Sequence, residues 1–381
     1  MAHVYFDHNA TTPLDERVLV AMLPFFREHY GNASSRHEFG TSARKAVERA
    51  RAQVAALVSV EPSQVVFTSG GTEANNLFIK GVAGYLQPGR IAISAIEHPC
   101  VTKPAQQLAR SGWQVRKLAV DRDGRVEPAD VEAALRERNG VMSVMLANNE
   151  TGAIQDVARI AEQARAAGAL THTDAVQALG KIAVDFGALN VQAMTLSAHK
   201  IHGPKGAGAL VHDKRISLRP LLSGGGHEQG LRSGTENVPA IVGFGAACEI
   251  AAGRLRDSMS RIAELRDTLE SGLGEMGAVI FGAAAPRIPN TSYFAFPGID
   301  GETLVIELDK AGYAVTSGAA CSSTSTEPSA TLLAMGVAPE LARGAVRVSL
   351  GHGNTREQID GFLRTLDGAL LKLRRLTAIA V

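Results

Sequence analysis

The sequence predicts an α/β protein: a large domain with a mostly parallel sheet covered by helices, joined to a smaller α+β domain. Two observations carry this. From residue 64 to residue 196 short apolar runs alternate with segments of helical period, and alternating strands and helices build parallel sheets buried on both faces. After a long helical stretch at 238–275 the order changes. Strand-like runs then occur at 293–296, 313–315 and 345–349, with helical periods at 301–308 and 359–373.

The elements follow in order. Residues 14–30 read as an amphipathic helix broken at Pro24. Residues 42–59 form a stronger one, because Ala46, Ala50, Val54, Leu57 and Val58 recur at helical spacing. A strand at 64–68 leads into Ser69-Gly70-Gly71-Thr72-Glu73, and a helix follows from Ala74. Next come a strand at 90–94, a helix at 100–111, a strand at 115–118, a helix at 128–138, a strand at 141–147 and a helix at 157–167. Two further apolar runs end at Thr173 and Leu196. No repeat or low-complexity segment interrupts the pattern.

Composition narrows the class. The 381 residues are 45% hydrophobic and 20% charged, with a formal net charge of +1. That suits a globular chain with one large core and one smaller, and gives no reason to expect a nucleic-acid or anionic-membrane partner. No uninterrupted apolar run reaches the roughly 18 residues of a membrane helix. Met1 to Asp7 has neither a basic nor an apolar leader region. Cys100, Cys248 and Cys321 are widely spaced with no CxxC, so neither a disulfide framework nor a metal site is expected. The expected location is a reducing cytoplasm.

Four strand ends, at Thr68, Ala147, Thr173 and Leu196, carry polar residues, and ligands of such sheets bind beyond the carboxyl ends of strands. Ser69-Gly70-Gly71-Thr72 lets backbone approach an anion at a helix start. Asp174 and Lys200 each end an apolar run about 25 residues apart. A carboxylate and a lysine so placed suit pyridoxal phosphate, which needs a lysine for its Schiff base and a carboxylate for its ring nitrogen. Ser197 and His199 flank Lys200 and are candidate phosphate donors. Gln177 and Asn149 are placed for the ring oxygen, and His98 for stacking on the ring and acid–base work. Cys321 sits in a Gly/Ser-rich stretch from Thr316 to Ser329 that cannot bury it, which predicts an exposed, mobile and reactive thiol. Arg347, inside a strand-like run, needs a partner; a substrate carboxylate and a structural ion pair are both open.

Together these features resemble the class V, fold-type I pyridoxal-phosphate enzymes, and more closely the cysteine desulfurases of the NifS/IscS type. The resemblance runs through Phe6-Asp7-His8-Asn9-Ala10-Thr11-Thr12-Pro13, Thr68-Ser69-Gly70-Gly71-Thr72-Glu73-Ala74-Asn75-Asn76, Asn148-Asn149-Glu150-Thr151-Gly152, His172-Thr173-Asp174-Ala175-Val176-Gln177, His199-Lys200 and Ser317-Gly318-Ala319-Ala320-Cys321. It implies a large domain of residues 13–255 with a seven-stranded, mostly parallel sheet. Residues 1–12 and 256–381 would form a small domain carrying the cysteine loop. Lys200 would be the Schiff-base lysine, Cys321 the sulfur-accepting nucleophile and His98 a third catalytic group. Asp174 would pair with the ring nitrogen, Gln177 and Asn149 with the ring oxygen region. Gly71, Thr72, Ser197 and His199 would hold the phosphate. Thr235 would reach the neighbouring subunit's phosphate, implying a homodimer. Arg347, Asn9 and Asn32 would form the substrate pocket. The implied reaction converts L-cysteine to L-alanine through a persulfide on Cys321 and hands the sulfur to an acceptor protein, an iron–sulfur scaffold or a thiolation carrier. A selenocysteine lyase, another pyridoxal-phosphate enzyme of amino acids, and a non-catalytic assembly subunit remain alternatives. Gly351-His352-Gly353 departs from the frequent Gly-Arg of the family, and Ala198 from its frequent glycine.

Overall fold

The structure, a computed structural model, describes residues 3–137, 139–318 and 327–379. Its main sheet has seven strands in the order Val65–Thr68, Gly208–His212, Ala193–Ser197, Leu170–Asp174, Asn139–Ser143, Arg90–Ser94 and Gln114–Leu118. Six run in one direction. Gly208–His212 runs antiparallel to both its neighbours. No strand is expected here from the sequence, because an apolar run as short as Ala209-Leu210-Val211 does not by itself mark one.

Alternation along each strand makes two cores. Val65, Phe67, Ala92, Met142, Met194 and Leu196 face one side, while Val66, Ile91, Ile93, Val141, Ala193 and Leu210 face the other. Helices cover both faces. Glu38–Leu57 packs with Val238–Glu275 on the first, and Gly71–Ala83 with Pro99–Leu108 on the second.

One local difference from expectation bears on function. The helix expected from Ala74 begins at Gly71, so Gly71 and Thr72 are its first turn and not a preceding loop. The break expected at Pro24 is present: Glu16–Met22 and Pro24–Arg27 are separate helices, with Pro24 opening the second.

The helix Val238–Glu275 has 38 residues, about 57 Å at 1.5 Å per residue. Its first half, through Phe244, Ala247 and Cys248, joins the sheet core. Its second half, through Ile262, Leu265, Leu269 and Leu273, joins a separate core with Phe294, Phe296, Leu304, Val346, Val348 and Phe362. Val238–Leu255 is long and apolar enough to cross a membrane, with mean hydropathy 1.4, and half of it is buried in the protein. The second core lies on a four-stranded antiparallel sheet ordered Thr316–Ser317, Val346–Ser349, Thr291–Ala295, Val279–Ile280. The N-terminal strand Val4–Tyr5 pairs with Tyr313–Ala314, and Phe6 is buried in this core. The chain start is thereby led past Asp7 and Asn9 to the mouth of the main sheet.

Candidate active site

Register brings the strand ends together. Thr68 and Ser197 both pair with Gly208. A Cβ on Gly208 would stand 2.6 Å from the Gly70 backbone, so only glycine lets the Gly70–Thr72 turn close against Ser197. A Cβ on Gly71 would stand 2.9 Å from Val176 Cγ2 and 3.7 Å from Ser197 Cβ. Gly70 caps the Gly71–Ala83 helix with no side-chain bond to its amides. The first-turn N–H groups, with their share of the helix dipole, therefore face the space between Thr72, Ser197 and His199. This is a cradle suited to an anionic group.

A cavity of about 250 Å³ opens from that cradle, lined among others by Asn75, His98, Cys100, Asn149, Asp174, Gln177 and Lys200. Asp174 is 5% exposed. Its carboxylate accepts from Asn75 Nδ2 at 2.7 Å and from Val176 N at 3.0 Å, and among the described residues it makes no ion pair. A buried carboxylate bonded only to neutral donors is suited to a cationic N–H. Asn75 Oδ1, beside it, is buried without a partner. The anion cradle, the unpaired carboxylate and the lysine fit the three ends of pyridoxal phosphate.

His98 caps the Pro99–Leu108 helix: its Nδ1 accepts from Cys100 N at 3.2 Å. The proton of a neutral ring must then be on Nε2. Burial pushes the His98 pKa down, against the pull of Asp174, with Lys200 adding to the burial effect. Cys100 lines the cavity, yet burial pushes its thiol up to about 12. It stays a thiol, in keeping with a filler and not a nucleophile.

Lys200 ends the 3₁₀ turn Ala198–Lys200. Its Nζ donates to the carbonyl oxygens of Asn9 and, at 2.7 Å, Ala10. His199 Nδ1 lies 3.1 Å from Thr11 Oγ1, and burial, then Lys200, lowers its pKa to about 4.

A second cavity of about 300 Å³ shares His98, Asn149, Gln177 and Lys200 with the first and adds Asp7, Asn9, Glu150, Tyr293, Gly318 and Arg347. Arg347 donates to Asp7 Oδ1 at 2.7 Å and to the Asn149 carbonyl at 2.8 Å, while its Nε is buried with no partner among the described residues. Gly318 packs tightly on Tyr293, where a Cβ would meet the hydroxyl oxygen at 2.0 Å. Ser329 and Thr331 donate to Glu150. The two ends of the chain around 319–326 are thus anchored at this cavity. Cys321 itself lies outside the described residues.

Lys200, Asp174, His98, Gln177, Asn149, Gly71, Thr72, Ser197, His199 and Arg347 are brought together as lining residues. Asn9 also lines the second cavity, but its side chain is fully engaged, donating to Thr291 and Asn149 and accepting from Lys181 and Asn290. Asn32 and Thr235 are exposed and line neither cavity of their own chain. Asn75, Asp7 and Lys181 went unassigned in the sequence. Asn75 was findable: it is one helical turn past Gly71, on the same face.

The model for the class V aminotransferases matches residues 4–362. The chain is 46% identical to a cysteine desulfurase of Rhodobacter capsulatus over 97% of both chains. Among solved structures, a NifS-like protein superposes with a TM-score of 0.92 at 40% identity, covering 97% of this chain and 100% of that one. Another, SspA in complex with cysteine, gives 0.82 at 32% identity over 91% of this chain and 98% of that one. With the family model covering residues 4–362 and the fold shared over nearly its whole length, this chain belongs to the class V aminotransferase family.

Proposed function

We propose that this protein is a pyridoxal-phosphate-dependent cysteine desulfurase. It takes sulfur from L-cysteine onto Cys321, releases L-alanine and passes the sulfur to an acceptor protein of iron–sulfur assembly or thiolation. One observation carries the reading. The two cavities share Lys200 and His98, and the chain that leads to Cys321 leaves from Gly318 on the rim of the second. Cys321 is three residues past Gly318, a reach of at most about 11 Å at the span of an extended chain.

Gly71, Thr72, Ser197 and His199 would hold the cofactor phosphate, Asp174 its ring nitrogen, and Gln177 with Asn149 its ring oxygen. Bound there, the cofactor supplies an electron-accepting ring for chemistry at the α-carbon. Lys200 would be the residue that holds the cofactor, and its amine is the group placed to move the substrate α-proton. His98, neutral with its proton on Nε2, is the acid available to both cavities. The unpartnered Nε of Arg347 offers a charge-assisted bond to the substrate carboxylate. In the transfer the C–S bond of L-cysteine breaks and an S–S bond forms at Cys321. Of the two thiol hydrogens, one ends on the new methyl group and one on the persulfide.

The division into residues 13–255 and residues 1–12 with 256–381 belongs to the same proposal. So does a homodimer in which Thr235 reaches the neighbouring site, in a cytoplasmic setting. The test is to incubate the holoenzyme with L-cysteine and a thiol reductant, and to measure alanine and sulfide beside Cys321→Ser. Equal yields, lost in the variant while the cofactor absorption persists, are expected. A cofactor spectrum with no sulfide would move the function to another amino-acid reaction.

A further inference from the structure

Behind the cofactor pocket lies a second buried lysine that the reaction above does not use. Lys181 is 7% exposed and makes no ion pair among the described residues. Its Nζ donates to Gln177 Oε1 at 2.7 Å and to Asn9 Oδ1 at 2.8 Å. Gln177 Nε2 in turn donates to the Asn9 carbonyl at 2.9 Å, the same oxygen that accepts from Lys200. Burying a lysine without a carboxylate is costly, so its place in a three-residue network at the pocket wall calls for a reason.

The reason lies in what a lysine can do. An ammonium group is a donor only. Whichever end of the Gln177 amide faces Lys181 must therefore be its oxygen. The NH2 end is then turned toward the Asn9 carbonyl and the cavity that Gln177 lines. With one of its two hydrogens on Asn9, the other remains for an oxygen in the cavity. Without Lys181, only the Asn9 carbonyl still orients the Gln177 amide, and its oxygen end loses its donor.

We propose that Lys181 is a positioning residue: by donating to Gln177 and Asn9 together it holds the Gln177 amide with its NH2 toward the cofactor ring oxygen. The charges and titratable groups around it are Lys200, Arg347 and His8. Burial, then Lys200 and Arg347, pushes the Lys181 pKa well below its usual value.

The inference rests on the cofactor reading, so the experiment separates the two. Wild-type protein is first titrated with pyridoxal phosphate; failure to bind it refutes the cofactor reading itself. In the holoenzyme, the pH at which the visible absorption of the bound cofactor changes is then recorded for wild type, Lys181→Met, Lys181→Arg, Gln177→Leu and the double variant Lys181→Met with Gln177→Leu. A Gln177 amide held less firmly donates less to the ring oxygen, which favours the protonated form of the bound cofactor. Lys181→Met is expected to raise the transition by about one pH unit and weaken cofactor binding about tenfold. Lys181→Arg is expected to restore most of the shift. In the Gln177→Leu background, Lys181→Met should move the transition much less, because its route through Gln177 is gone. A wild-type transition in folded Lys181→Met overturns the proposal. So does an undiminished shift in the Gln177→Leu background. If Lys181→Met does not fold, Lys181→Gln replaces it, since an amide no longer dictates which end of Gln177 it meets; an unshifted transition there is equally decisive.

Discussion

Arg347 donates to Asp7 across 2.7 Å, joining the strand Val346–Ser349 to the start of the chain at the wall of the second cavity. The structural ion pair and the substrate role, alternatives in the sequence, are therefore not exclusive. Asp7 and the Asn149 carbonyl hold the guanidinium still, and the unpartnered Nε remains for a ligand.

Arg347→Leu should raise KM for L-cysteine and lower kcat/KM about 10- to 100-fold, the worth of a charge-assisted carboxylate bond. Cofactor affinity should stay near wild type. Steady-state kinetics with a cofactor titration checks both. Asp7→Asn keeps an oxygen acceptor for Arg347 but removes the competing charge, so its KM should not rise. A KM that rises as much as in Arg347→Leu would show that the pair, and not the arginine alone, binds substrate.

Gly208→Ala places a methyl group 2.6 Å from the Gly70 backbone. The turn that starts the Gly71–Ala83 helix must then move away from Ser197. We expect a loss of about 1–3 kcal/mol in stability, as for overpacked sites. Pyridoxal phosphate should bind at least about tenfold more weakly, consistent with one lost charge-assisted bond. Thermal melting of the apoprotein and a cofactor titration measure the two effects separately.

Glu97, next to His98, gives a pH prediction. Its Oε1 accepts from Ser94 Oγ and Met145 N, both at 2.6 Å, and its Oε2 is buried without a partner. Burial, reinforced by Asp174, pushes its carboxyl up to about 8. The folded protein then holds a proton that the unfolded chain releases near pH 4.3. This contribution to stability is complete below about pH 4.3 and is lost as pH rises through 8. Glu97→Gln removes that titration. Relative to wild type, its melting temperature should improve steadily from pH 5 to pH 8.5. A constant difference across that range would mean that Glu97 is ionised in the folded state.

Much of this protein is legible in its sequence because strand ends are local features. An apolar run terminating in Asp174 or Lys200 announces both the strand and the residue it delivers, and a parallel sheet collects such ends on one edge. The helix period that placed residues 42–59 and 238–275 is equally local, since it reflects which face each side chain presents.

What only the tertiary structure decided are the relations between distant segments. Gly208–His212 takes a place between Val65–Thr68 and Ala193–Ser197 through long-range pairing, and a single glycine there fixes how closely the Gly70–Thr72 turn meets Ser197. Asn9 reads as a pocket residue, but packing of the N-terminal segment makes its amide a hub for Lys181, Asn290 and Thr291. Lys181 belongs to no motif in the sequence, and only folding buries it against Gln177 and Asn9. The sequence by itself determined most of the elements and which of them end in the residues proposed to bear the chemistry. Their partners were decided by folding, because a hydrogen bond depends on a separation in space and not on spacing along the chain.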